Sequence, residues 1–429
     1  MTTSAAISPM GDSPSPARQR AVLAALTACV FMVGTAEWVM VGLLPDLSSD
    51  LSLPLPTAGS LVTWYALTVT VAGPLVTVLM LRVPRRTALL VLVAVFVAGN
   101  VAAASAGAFG MLAAARMVTA LTHSTSFAVA LVIAVSMSPP DRRGRAISVV
   151  AAGWNLATVF GAPLGTWVGE RYGWRVTFWS IAVLSALILT AVAVLVRPPA
   201  PDAPLRPRAE VRALLNGRVA TVLSIIIVAQ AGLFTLYTYI TPLLREVSGF
   251  RAPVVTVLLA VFGFGALFGN ILGGRLADRA PWGALCALLA ALAAVLALFT
   301  LTSRVQWAGA LTVLLLGAVS GALIPLLQHQ ALAAAPGAPT LVTAIGASAF
   351  NLGVAGGSKL GGEALGTGFG LGDLAWLGGL VALAALPLAV RTALRRSRAG
   401  RFSSPAPAGP RRPGANSPAG TVTLSKEDH

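Results

Sequence analysis

The sequence predicts an all-α polytopic membrane protein, with twelve transmembrane helices in two pseudo-symmetric six-helix bundles. Three observations predict it: a charge-poor composition, twelve apolar runs long enough to cross a bilayer, and a basic loop that recurs in both halves. Of 429 residues, 56% are hydrophobic and only 10% charged, where a soluble domain carries about 25% charge. Mean hydropathy is +0.83. Too little polar surface remains to cover a water-soluble globule. Soluble enzymes, disordered chains and secreted modules are therefore excluded.

The elements follow in chain order. Residues 1–20 are polar, carry Arg18 and Arg20, and lack the apolar stretch of a signal peptide; they read as a cytoplasmic N-terminal tail. About 20 apolar residues span the hydrocarbon layer. The first bundle, 21–196, holds Ala21–Leu44, Ala58–Met80, Thr87–Ala106, Phe109–Met137, Ala146–Val168 and Val176–Val196. A basic, proline-rich cytoplasmic linker follows at 197–218, with Pro198, Pro199, Pro201, Pro204 and Pro207 among several arginines. The second bundle, 219–391, holds Val219–Leu243, Val254–Leu276, Trp282–Thr302, Val305–Leu327, Leu341–Leu365 and Leu371–Val390. The remainder, 392–429, has the Arg-, Pro-, Ser- and Gly-rich composition of a disordered cytoplasmic tail.

The net charge of +16 orients the chain. Basic residues cluster in the segments that share a side with both termini, among them Arg82, Arg85, Arg86, Arg142, Arg143 and Arg145. The other side carries far fewer, and its first loop holds Asp46 and Asp50 with no base. By the positive-inside rule both termini are cytoplasmic and the membrane is the plasma membrane. Nucleic-acid binding is not expected, since no aromatic–basic stripe accompanies the charge. Cys29 and Cys286 lie inside apolar runs, and His123, His329 and His429 have no ligand spacing. No metal and no cofactor is therefore expected. The chain also lacks a Gly-x-x-x-x-Gly-Lys phosphate loop, so an ion gradient is the expected drive.

An internal repeat is visible. The same spacing, 197 residues, separates Arg82 from Arg279 and Pro84 from Pro281. Each pair follows the second helix of its half. Many secondary transporters are built from such repeats, with the substrate between them. Gly274-Arg275-Leu276-Ala277-Asp278-Arg279 closely matches the start of a loop motif, Gly-x-x-x-Asp-Arg-x-Gly-Arg-Arg, and on these residues the chain resembles the major facilitator superfamily. The first copy keeps Arg82, Arg85 and Arg86 but has Thr77, Leu81 and Pro84 where the motif has Gly, Asp and Gly. Gly34-Thr35-Ala36-Glu37, Gly42-Leu43-Leu44-Pro45, Arg116 with His123, and Gly161-Ala162-Pro163-Leu164-Gly165 are similar to the twelve-helix drug:proton antiporters related to chloramphenicol- and arabinose-efflux permeases. The resemblance covers roughly residues 21–390. It implies gating roles for Arg82, Arg85, Arg86, Gly274, Asp278 and Arg279, and an antiporter signature at Gly161, Pro163 and Gly165.

Glu37 is the only carboxylate well inside an apolar run of the first half. An ionised acid at mid-helix costs about 2.5–3.5 kcal/mol on the insertion scale and a protonated one costs less. Such a group suits a proton carrier; the alternative is a permanent structural pair. Arg116 is its expected partner. Each lies seven residues from the expected outer end of its helix, Leu44 or Phe109, hence about 10 Å deep at 1.5 Å per residue. The resemblance associates Arg116 with proton transfer. His123, seven residues further along the Arg116 face, reads as an interior histidine or a coupling group. Trp38, Tyr65, Gln230, Tyr237, Thr238 and Asn351 supply aromatic and hydrogen-bonding groups suited to an amphipathic pocket, or to packing.

The expectation is a monomeric, non-enzymatic antiporter that exports a small amphipathic molecule, such as a chloramphenicol-like drug, against protons by alternating access. Two alternatives stand beside it. One is export of a sugar, nucleoside or endogenous metabolite. The other is a non-transporting membrane sensor on a transporter fold.

Overall fold

The computed structural model describes residues 16–80, 82–196, 217–335 and 339–402. Twelve helices are long and apolar enough to cross a membrane. They are α1 (Ala17–Asp50), α2 (Leu55–Met80), α3 (Arg85–Ala104), α4 (Phe109–Ser136), α5 (Arg143–Tyr172), α6 (Trp174–Leu195), α7 (Gly217–Glu246), α8 (Ala252–Arg279), α9 (Pro281–Thr302), α10 (Gln306–Ala334), α11 (Leu341–Gly366) and α12 (Asp373–Arg395). No strand occurs among the described residues. All-helical construction answers the bilayer, because helices satisfy every backbone group internally. Large apolar side chains such as Leu79, Val194, Leu301 and Trp307 stand more than 60% exposed on the outside of the bundle, where lipid tails are the natural solvent.

Several helix boundaries differ from the sequence expectation; α10, for one, runs to Ala334 rather than Leu327. Helix α1 does not stop at Leu44; it continues through Pro45 to Asp50, so Asp46 and Asp50 belong to a helix rather than a loop. It also begins before residue 21. The last helix runs past Arg391 to Phe402. Of the expected 197–218 linker, only Gly217 and Arg218 are described, and they open α7. Leu81, residues 1–15 and residues 403–429 lie outside the described residues.

Helices α5 and α7 are broken where proline removes a donor, and α12 is interrupted at Ala384 ahead of Pro387. In α5 the turn Ala157–Gly161 is π-helical, with the Ala162 N–H reaching back to the Ala157 carbonyl. Pro163 has no N–H to offer the Val159 carbonyl, and widening the turn accommodates the ring. In α7 the chain leaves the helix after Tyr237 and resumes at Ile240. Pro242 cannot donate to the Thr238 carbonyl, and the Tyr239 N–H closes instead on Leu236 O at 2.9 Å.

Glycine stripes lock each half internally. Gly161, Gly165 and Gly169 of α5 sit so close to Thr35, Val39 and Leu43 of α1 that a Cβ would collide with them. The second half repeats the device in the corresponding pair: Gly353, Gly357 and Gly361 of α11 lie against the Ile227, Ala231 and Thr235 carbonyls of α7. Without a hydrophobic drive between helices in lipid, such close backbone approach is what holds them together. The Gly161–Gly165 segment thus has a packing role whatever else it does.

The two halves meet differently. Polar contacts between described residues of the two halves run from near mid-bundle to the end carrying Asp46. Thr70 Oγ1 donates to Ser348 O at 3.3 Å, and Ser358 Oγ to Gly59 O at 3.2 Å. At the far end Arg245 of α7 donates to Asp46 of α1 at 3.2 Å and to Glu170 of α5 at 2.6 Å. Glu170 also accepts from Thr256 Oγ1 of α8 at 3.1 Å. This cluster seals the end opposite the termini.

Replacing Gly165 with Leu should lower stability by about 1–3 kcal/mol through overpacking against Val39. A Gly144→Ala variant, whose added methyl meets open space, should be unaffected or slightly stabilised. Loss of monodisperse protein on heating in detergent measures both.

Candidate functional site

Helices α1, α2, α4, α7 and α11 surround a small cavity whose wall includes Glu37, Trp38, Tyr65 and Arg116. The Glu37 Oε2 atom is buried and has no hydrogen-bond partner. Arg116 is 1% exposed. Its Nη1 donates to the Ala36 carbonyl at 2.7 Å, and its guanidinium lies over the Tyr65 ring, 4.3 Å from the centroid. The matched depth of Glu37 and Arg116 holds, since both line this cavity and Arg116 reaches the carbonyl next to Glu37, but no salt bridge joins the two side chains. Arg116 instead spends its charge on the backbone one residue before Glu37 and on an aromatic face.

A line of polar and aromatic groups leads away from this cavity. Tyr65 Oη and His123 Nδ1 are hydrogen-bonded at 3.0 Å. His123 then packs edge-on against Trp154, with ring centroids 4.9 Å apart. Trp154 lines a second small cavity between the two halves, which Trp38 and Gln230 also line. Trp38 faces both cavities. The sequence-selected Glu37, Trp38, Tyr65, Arg116, His123 and Gln230 are thus brought together at one interface.

Others are placed elsewhere. Tyr237, Thr238 and Asn351 line neither cavity. Tyr237 is closed in by Phe262 at 4.3 Å and Trp38 at 5.8 Å between ring centroids. Thr238 sits in the break of α7 with no exposure. Asn351 is buried and donates to Ala347 O of its own helix at 3.1 Å. Of the repeated loop, Arg86 donates to the Ala193 carbonyl of α6 at 2.6 Å, a tie within the first half. Arg82, Asp278 and Arg279 are exposed, and Gly274 faces open space. Arg85 is half-buried.

The Major Facilitator Superfamily profile matches residues 26–358. The chain belongs to the major facilitator superfamily. The uncharacterised transporter YtbD of Bacillus subtilis is 36% identical over 85% of this chain and 93% of its own. A chloramphenicol resistance protein of Streptomyces lividans is 35% identical over 85% and 94%, and a probable sugar efflux transporter of Mannheimia succiniciproducens 29% over 84% and 90%. Among solved structures, a bacterial homologue of the human lysosomal transporter Spinster superposes with a TM-score of 0.67 at 16% identity, over 90% of this chain and 98% of that one. This major facilitator protein is accordingly a multi-pass membrane transporter and not an enzyme.

Sequence reasoning missed Trp154, Asn155, Phe262, Asn270 and Phe350, all on the wall of the second cavity. Asn155 and Asn270 carried a legible signal, since an amide inside a long apolar run is costly unless paired. The rings carried none, because an aromatic residue in an apolar run serves equally for packing.

Tyr65→Phe keeps the ring beneath Arg116 and loses the bond to His123, so it should cost about 1 kcal/mol. Tyr65→Leu loses both contacts and should cost clearly more. Equal thermal stabilities for the two variants in detergent would show that the Arg116–ring contact carries no weight.

Proposed function

We propose that this transporter is a proton-driven antiporter that exports small amphipathic molecules, of the chloramphenicol-like kind, by rocking its two halves around the interface cavities. It works as a monomer in the plasma membrane with both termini cytoplasmic. Glu37 is the proton site, with Arg116 and His123 as its coupling partners. The basic loop residues Arg82, Arg85, Arg86, Gly274, Asp278 and Arg279, with the Gly161–Pro163–Gly165 segment, serve the conformational change.

The observation that carries this reading is the unpartnered Glu37 carboxylate on the wall of an interface cavity. Inside an apolar bundle such a group is tolerated when protonated and costly when ionised and alone. Its protonation therefore depends on which side of the membrane the cavity meets. An exporter coupled to protons needs that dependence. The nearby aromatic rings of Trp38 and Phe234, 5.8 Å apart between centroids, suit an amphipathic cargo, and the chloramphenicol resistance protein is a relative over most of the chain. Sugar export is the second reading, favoured by the sugar-efflux relative.

Glu37→Gln keeps size and hydrogen-bonding capacity but cannot ionise. In proteoliposomes with an imposed pH gradient, this variant should lose uphill chloramphenicol transport by about tenfold or more, which corresponds to about 1.4 kcal/mol or more of lost coupling. Facilitated downhill movement should persist. Uphill pumping with wild-type pH dependence would contradict the proposal. A sugar panel in the same vesicles decides between the two cargoes.

A further inference from the structure

We propose that the basic end of the last helix, residues 391–402, is a binding surface for the headgroups of anionic phospholipids. This surface is independent of the cargo and of the proton site. It requires only that α12 crosses a membrane, which its length and apolar character allow.

The charge here is one-sided. Arg391, Arg395, Arg396, Arg398 and Arg401 follow one another closely, and no acid stands between Asp373 and Glu427. Arginines without carboxylates cannot neutralise themselves through i,i+4 pairs. Arg391 and Arg395 are exposed, and neither forms an ion pair with another described residue. The neighbouring helix ends do not supply the missing charge. At the same end of the bundle α7 opens on Gly217-Arg218 and α8 closes on Arg275, Asp278 and Arg279, one acid among three bases. The counter-charge has to come from outside the protein.

Helix geometry sets the arginines at the height of the headgroups. The helix is continuous from Ala385 to Phe402. Its first turns are seated in protein: Ala385 and Ala389 are fully buried, and the segment packs on α9 and α7. About 20 residues cross the hydrocarbon layer, so a span that opens at Asp373 leaves it near residue 392. At 1.5 Å per residue Arg395 and Arg396 then stand about 5–6 Å beyond that edge, and Arg401 about 14 Å beyond it. The headgroup layer is roughly 5–8 Å deep on each side. Arg391, Arg395 and Arg396 therefore fall at or within it.

The side chains suit the same boundary. Val390 and Leu394, 37% and 55% exposed, alternate with Arg391 and Arg395. Apolar groups of this kind rest on the acyl edge while arginine stems carry their charge upward. A guanidinium grips two phosphate oxygens at once. A zwitterionic headgroup brings its own ammonium and cancels most of that attraction, whereas a phosphatidylglycerol-type headgroup keeps its net charge. A soluble acidic partner would reach the outermost arginines and leave Arg391, at the lipid edge, unpaired.

The test uses the full-length purified protein in a neutral detergent at low salt. It is titrated with phosphatidylglycerol or phosphatidylcholine, and bound lipid is counted by native mass spectrometry. Phosphatidylglycerol should bind at least about tenfold tighter, since each basic residue near an anionic surface contributes about fivefold. The triple variant Arg391→Gln, Arg395→Gln, Arg396→Gln should lose at least about fivefold of that preference. The matching triple Arg142→Gln, Arg143→Gln, Arg145→Gln removes three exposed charges of the first half and should lose less than about twofold. A wild-type chain without the preference overturns the proposal. So does an α12 variant that keeps it, and so do equal losses from the two triples, which would make the attraction a matter of net charge alone. An independent readout leaves the arginines in place: a fluorophore on Ser397→Cys, in nanodiscs holding headgroup-spin-labelled lipid. Spin-labelled phosphatidylglycerol should quench it at least about threefold more than spin-labelled phosphatidylcholine at equal content, and equal quenching contradicts the assignment even if the glutamine variants fail to fold.

Discussion

Within the hydrocarbon layer no water stands ready to solvate a polar group, so each one must be met by protein or remain unmet at a cost. This constraint organises the molecule. Threonine hydroxyls turn back onto their own helices, as Thr70 does to Ala66 O and Thr166 to Ala162 O, both at 2.8 Å. Arg18 and Arg86 cover carbonyls in the last turn of α6 that have no partner within the helix. Arg116, the largest of the fully buried side chains, is met by a carbonyl and a ring. Buried polar atoms without a partner are spread through the bundle, Asn100 Oδ1 and Gln330 Nε2 among them. Glu37 Oε2, Trp38 Nε1 and Gln230 Oε1 differ from those two in belonging to residues that face the interface cavities.

Each half is tied together internally by close backbone approach. The glycine stripes bring α5 onto α1 and α11 onto α7 at backbone distance, an arrangement that cannot shear without steric collision. The interface between the halves combines close helix packing, as where Gly263 of α8 meets the backbone of Thr158 and Val159 in α5, with discrete polar links such as the Asp46–Arg245–Glu170 cluster. Partly buried ion pairs of this kind are costly to break singly but can be exchanged as a unit when water enters. The proline-broken segment of α5 puts Thr158 on the wall of the second cavity, while that of α7 is buried in protein at Thr238 and Tyr239; irregular backbone is tolerated where protein or a cavity keeps it from lipid.

Much of this was legible in the sequence, for a physical reason. Apolar runs of fixed minimum length announce spans, and a charged or amide residue inside a run announces a cost that something must repay. Glu37, Arg116 and Gln230 were visible on that ground. The signal is sensitive but not specific. Asn100 has it too, yet that residue is fully buried and donates to Phe96 O of its own helix at 2.8 Å. Helix ends were not legible, because Pro45 reads as a stop and the helix tolerates it. Nor was the direction in which a ring faces. Tyr65 and Tyr237 look alike in apolar runs, but the first lines a cavity and the second is stacked shut against Phe262. Three-dimensional register decides that, and one chain's pattern does not contain it.

In the proposed cycle, cargo binding and the protonation of Glu37 are linked. The direct measurement is proton release in weakly buffered detergent solution when chloramphenicol is added to the purified protein. Release should be pH-dependent and in proportion to the cargo bound in the wild-type chain, and absent from Glu37→Gln at equal occupancy. Cargo binding with no proton change in the wild type across neutral and mildly alkaline pH, or equal release from both proteins, would contradict it.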